Sequence, residues 1–342
     1  MLEQSSCPGC PYKEFMKYNN YYGEADCVHQ WVEAALDGSN TNFDNGNADF
    51  GDYGLTGRTE GAKKGSAYMN IYIYVIRGFE DAIDDCQKDC VECDYGSVHA
   101  WDEGVAFYTG SLEGTTGAGD VKLLHALADK RCKNYKTCGV NGDELTGGSY
   151  VDQQLFNKFT LVGQCLLVTG QCDAVKPIVD EIVDLMSVPL VQGTLRYSYK
   201  VDKMSGAEKE KSEGTKFAAS VLPRVHDCSK DDTEFIYSNM KVGASSTDHA
   251  AVKKAFENNY ACMGINGKLV GGFWNSVTSD YFEGAEPKKD GSTGGRNGLA
   301  IGLGVGFGSA GLAGIAFVAH LIRKEKQGNP IFMETKGNFE DV

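Results

Sequence analysis

Between positions 68 and 83, Tyr68, Tyr72, Val75, Ile76, Phe79 and Ile83 recur at offsets of 0, 4, 7, 8, 11 and 15. At about 3.6 residues per turn, these offsets fall on one stripe of an α-helix. Helical spacing also predicts helices over 23–37, 98–112, 120–134, 150–169, 174–187, 207–222 and 248–262. Strand-type alternation is scarce. Residues 38–61 are rich in Gly, Asn and Asp and read as a long loop. The expected fold class is mostly α, a helical bundle.

The bundle reads as two related halves. Glu103, Gly104, Phe107 and Leu112 match Glu213, Gly214, Phe217 and Leu222 at equal spacing. Upstream, Gly96-Ser97-Val98-His99 matches Gly193-Thr194-Leu195-Arg196 in kind. The expected organisation is a Cys-containing N-terminal segment 1–19, a first half 20–147 and a second half 148–265. A stalk over 266–297, rich in Gly, Ser, Asn and Lys, follows.

Twelve cysteines are present. Cys7–Cys10 and Cys90–Cys93 have CxxC spacing, but no second matching knuckle accompanies them, so disulfides are a better reading than thiolate metal sites. Short separations suggest Cys132–Cys138 and Cys165–Cys172 as local bridges.

Positions 297–322 hold no Asp, Glu, Lys or Arg, and Arg323-Lys324-Glu325-Lys326 follows at once. This run is long enough to span roughly 30 Å of hydrocarbon. It predicts one transmembrane helix over 298–322, and the basic flank places the tail 323–342 in the cytoplasm. The expectation is a single-pass type I plasma-membrane protein with its N-terminal part outside. Such a protein needs a leader, and the start of the sequence carries no apolar run, so a leader would have been removed or would precede it. The tail contains Asn329-Pro330-Ile331-Phe332, a turn in which Asn329 and Pro330 present Phe332 in the shape read by endocytic adaptors.

The net charge is −14, and the segment after the anchor balances Arg323, Lys324, Lys326 and Lys336 against Glu325, Glu334, Glu340 and Asp341. The negative excess therefore lies on the outer part, where it attracts cations and disfavours nucleic acid as a partner.

The densest cluster of chemistry-bearing residues runs from His99 to Tyr108. On a helix, His99, Asp102 and Glu103 fall at i, i+3 and i+4, from which imidazole and carboxylate can reach one ion. Tyr108 adds a phenol. Tyr72, Tyr74, Asp81, Asp84 and Asp85 would come from the preceding helix, with Tyr72 also on the apolar stripe. Such an oxygen-rich set suits a hard ion such as Fe³⁺. Arg77 could hold a synergistic carbonate-type anion through two hydrogen bonds. Arg196, Tyr197, Tyr199 and Glu213 are the second half's counterparts. No GxSxG, HExxH, GxxxxGK[ST] or strand-linked GxGxxG motif is present, so nothing argues for an enzyme.

The stretch from His99 to Gly114, HAWDEGVAFYTGSLEG, resembles the signature of the algal iron-assimilating proteins. These are low-iron-inducible (also described as high-CO₂-inducible) periplasmic proteins, related to the phytotransferrins of marine phytoplankton. The segment Gly193 to Tyr199, GTLRYSY, is similar to the equivalent part of their second half. The resemblance extends over roughly 20–265. It implies ferric iron captured at the cell surface with a carbonate-type co-ligand and, for anchored members, uptake by endocytosis. Two other readings compete. One is a structural or adhesive surface protein without metal. The other is an imelysin-like enzyme, from whose GxHxxE pattern Gly96-Ser97-Val98-His99-Ala100-Trp101 departs.

Overall fold

Helix α1 (Lys13–Tyr22) begins without a capping side chain of its own. The Glu80 carboxylate, from a helix further along the chain, accepts the orphan N–H groups of Glu14 at 2.7 Å and Phe15 at 3.1 Å. α1 and α2 (Cys27–Asp37) end at Gly23 and Gly38, whose φ values of 75° and 71° give the left-handed turn that suits glycine. The same kind of long-range cap starts α3 (Leu55–Lys64). There Glu208 accepts from Gly54 N at 3.0 Å and Gly57 N at 2.8 Å.

A π-turn (Gly65–Asn70) leads from α3 into α4 (Ile71–Gln87), which packs along α5 (Ser97–Thr109). α6 (Leu124–Tyr135) precedes α7 (Tyr150–Phe156), a second π-turn (Asn157–Gly163) and α8 (Gln164–Val168). α9 (Cys172–Lys203) packs against α10 (Glu208–Cys228), followed by α11 (Lys230–Met240) and α12 (His249–Asn259). The short α13 (Gly267–Val270) precedes β1 (Trp274–Asn275) and β2 (Asp280–Tyr281), an antiparallel pair. This computed structural model describes residues 12–91, 93, 96–110 and 123–289, all within one compact unit. The fold class is mostly α, as expected.

The stripe from Tyr68 to Ile83 is buried throughout and forms the centre of the core with Trp31, Trp101, Phe159 and Phe217. Inside the core, Trp101 donates to the Phe159 carbonyl of the second π-turn at 3.0 Å. Arg224 on α10 is buried, but it is paired with Glu14 at 2.7 Å and with Asp184, tying α10 to α1 and α9.

Several expectations need correction. α9 does not stop near 187; it continues through Pro189 and the Gly193–Tyr199 motif to Lys203. A proline disfavours helix before it and removes one N–H, but here the whole stretch from Leu185 to Leu195 is buried, and packing prevails. The stalk expected over 266–297 is no stalk as far as residue 289. Val270, Phe273 and Ala285 are buried, and Phe273 stacks on Tyr135 with ring centroids 5.7 Å apart. Glycine content there reflects tight turns, such as Gly271 at φ 67°, rather than an extended linker.

Cys132–Cys138 forms as expected, but Cys172 pairs with Cys86 and leaves Cys165 free and exposed. Cys90–Cys93 and Cys228–Cys262 are also bridged. No helix among the described residues is long and apolar enough to cross a membrane. The expected anchor over 298–322, the tail, the sorting residues Asn329, Pro330 and Phe332, and Cys7 and Cys10 all lie outside the described residues.

Candidate metal centre

The predicted cluster does not assemble as one site. His99, Asp102 and Glu103 sit on the outward face of α5. Asp102 accepts from Gln164 at 2.9 Å, and partial burial raises its pKa. Glu103 accepts from the Tyr74 hydroxyl at 3.1 Å, while the Tyr74 ring rests on Phe107. Asp81 is engaged by Arg77, whose Nε lies 2.8 and 2.9 Å from the two carboxylate oxygens. The Tyr12 hydroxyl donates to Asp81 at 2.7 Å and lies 3.1 Å from Asp84, which also pairs with Lys88 at 2.6 Å. Arg77, stacked over the Tyr12 ring, is thus already neutralised rather than poised for an anion. Tyr72 is a core residue, edge-on to Tyr18 at 6.0 Å.

In the second half, Tyr197 stacks on Phe217, and Tyr199 packs among His249, Phe273 and Phe282. Glu213 lies 3.6 Å from Lys64. Arg196 lies over Tyr197 and Phe273.

Tyr108 is the exception. It lies nine positions after His99, and at about 100° per residue this turns it to the opposite, inward face of α5. There its hydroxyl donates in a short hydrogen bond to Oδ1 of Asp152 on α7. α6 contributes His125 and, one turn on, Asp129. One donor atom from each of His125, Asp129 and Asp152 lies within 4.8 Å of the other two. Among the described residues this is the only such group of three or more His, Cys, Asp or Glu side chains. His125 Nε2 is 3.8 Å from Asp152 Oδ2.

The local chain explains why these groups meet. Ser149 caps α7 by accepting from Asp152 N, and its own N–H donates to Asp129 Oδ1 at 2.7 Å. The Cys132–Cys138 bridge and the Cys138–Ser149 backbone bridge hold this loop against the end of α6. Phe156 and Phe159 wall the site, with ring centroids 5.5 Å from His125 and 5.4 Å from Tyr108 respectively.

Burial among these rings pushes the Asp152 carboxyl well above the usual carboxylate range, with the Asp129 charge adding to the effect. Burial and the Asp152 charge raise the Tyr108 phenol likewise. Asp152 Oδ2 and His125 Nδ1 are buried without a hydrogen-bond partner. Two carboxylates, a phenol and an imidazole are the donor chemistry for a hard or borderline cation. A cation there would displace the protons that burial retains.

Of these four residues, sequence reasoning named Tyr108 alone. The i, i+4 pair His125 and Asp129 carries a legible ligand spacing on a predicted helix. Asp152 is separated from it by a loop and gives no such signal. No family model, curated protein or solved structure matches this chain.

Proposed function

We propose that the protein binds ferric iron at the Tyr108–His125–Asp129–Asp152 cluster and concentrates it for uptake. The observation carrying this reading is the group of four donors, three buried and Asp129 half-buried, two of whose polar atoms have no partner. Leaving such atoms unsatisfied is costly in an apolar setting, and a cation removes that cost. With the phenol and both carboxyls deprotonated, the set carries three negative charges, matching Fe³⁺. A carbonate-type co-ligand fills positions that four side chains leave open. Iron is here the cargo, so the protein acts as a binder rather than an enzyme.

The resemblance of the His99–Gly114 stretch to the algal iron-assimilating proteins supports the same reading. It implies capture at the surface and uptake by endocytosis, which the uncharged run over 298–322, read as a membrane anchor, and Asn329-Pro330-Ile331-Phe332, read as an adaptor motif, fit. Glu103, Gly104 and Phe107 lie on α5 and Glu213, Gly214 and Phe217 on α10, the second helices of two packed pairs, α4/α5 and α9/α10. The upstream match, however, sets the start of α5 (Gly96–His99) against the interior of α9 (Gly193–Arg196). Gly104 approaches Phe79 in one pair, and Gly214 approaches Tyr197 in the other. We read these pairs as the two related halves.

The test is titration of the metal-free protein with a ferric chelate at neutral pH, with and without bicarbonate, followed by visible absorption. A saturable tyrosinate-to-iron band that is lost in Tyr108→Phe supports the reading. Tight binding of zinc or manganese without ferric binding would make the cluster a divalent site instead. Binding of none of these metals would leave the structural, metal-free reading.

A further inference from the structure

The side of α6 turned away from the metal cluster carries a second group of unsatisfied atoms. Arg131 follows Asp129 by two positions, about 200° around the helix. It is only 3 % exposed, and among the described residues no carboxylate pairs with it. Its Nε and Nη1 have no hydrogen-bond partner. Tyr135, one turn further along the same face, is buried with its hydroxyl unpartnered. From α9, half-buried Arg196 brings a guanidinium close enough to repel that of Arg131, and its own Nε is also buried and unpartnered. Arg196 rests against ring faces, those of Tyr197 and Phe273.

Two guanidinium groups sharing an apolar setting without a counter-charge between them are costly. The Glu213 carboxylate acts on Tyr197, the ring that Arg131 and Arg196 also influence, but it lies against Lys64 at 3.6 Å. The unpartnered atoms are all donors: three guanidinium nitrogens and a phenolic hydroxyl. That is the complement of an oxyanion, which accepts several hydrogen bonds at once and offsets both charges.

We propose that Arg131, Arg196 and Tyr135 form a binding site for a small dianionic oxyanion of the phosphate or sulfate class. This site is distinct from the cation cluster on the opposite side of α6 and does not depend on metal. Half-buried Arg196 marks its solvent side.

The test uses the intact, metal-free chain in neutral detergent, titrated with inorganic phosphate or sulfate by calorimetry and thermal unfolding. Sodium chloride at matched ionic strength is the control. The expected result is saturable binding of one anion and a rise in Tm that grows with the logarithm of anion concentration. Arg196→Gln, at the less buried arginine, should bind about tenfold more weakly or worse. Arg131→Lys keeps the charge but not the planar fork and should weaken binding as well. Phosphate and sulfate heats or Tm shifts no larger than those of chloride would overturn the proposal. So would undiminished binding in folded Arg196→Gln protein. Because no metal is present, failure here leaves the ferric reading untouched.

Discussion

The Tyr108 hydroxyl on α5 donates to the buried Asp152 carboxylate on α7, joining residues 44 positions apart across the wall of the cation cluster. This contact links the only cluster residue named from sequence to the one that no local pattern reveals. If the pair supplies two ligands, Asp152→Asn should weaken ferric binding by at least about 100-fold, since even losing a supporting contact around a metal typically costs 10- to 100-fold. Tyr108→Phe should abolish the visible charge-transfer band. Circular dichroism of both variants checks that the helices persist.

The Cys132–Cys138 bridge closes a short loop that positions Asp129 and Ser149. Replacing both cysteines by serine should cost roughly 2 kcal/mol of stability by the chain-entropy argument. It should also reduce cation affinity, because the loop that carries Ser149 is released. Denaturation and metal titration on the same variant separate the two effects. Equal affinity in a destabilised variant would show that the loop does not organise the site.

His249 is buried, with Nδ1 2.8 Å from Ser198 Oγ and Nε2 unpartnered. Burial lowers its pKa to about 4 from 6.5, assisted by the Lys253 and Lys203 charges and opposed by Asp202 and Asp248. Between these values the unfolded chain holds a proton that the folded chain does not. The His249 contribution to stability is therefore complete above about pH 6.5 and is lost as the pH falls towards 4, up to about 3 kcal/mol. Glu80 and Asp184, raised by burial to about 8 and about 6, act in the opposite sense over that range. The comparison between wild type and His249→Gln carries the result: the variant should lack one proton's worth of acid sensitivity in chemical denaturation between pH 4 and 6.5.

Helical periodicity made much of this bundle legible. Tyr68 to Ile83 is buried as its spacing requires, and the long segments 98–112, 120–134 and 207–222 are helical over most of their length. α1, α3 and α11 were not expected. α3 carries two glycines and mostly polar residues in place of a stripe, and α1 is stabilised at its start by Glu80 from α4. Local reading does not see such distant caps. The site failed for a similar reason. His99, Asp102 and Glu103 share a helix face, but that face looks outward, and facing is set by what packs against a helix rather than by spacing within it.

Phe273 tests the extent of the folded unit. It is buried against Tyr135, Tyr199 and Phe282, in a segment whose composition reads as linker. Phe273→Ala should destabilise the protein by about 3–5 kcal/mol. A chain ended at residue 265 should unfold at a lower temperature than one ended at 289. Equal unfolding temperatures would return these residues to the role of a tether.

α9 runs without interruption for 32 residues, about 48 Å, and touches α4, α6, α7, α10 and α12. A beam shared by so many neighbours disfavours two lobes swinging apart. If the cluster holds a metal as proposed, release would fall to chemistry at the cluster itself, through proton return, reduction or a competing chelator.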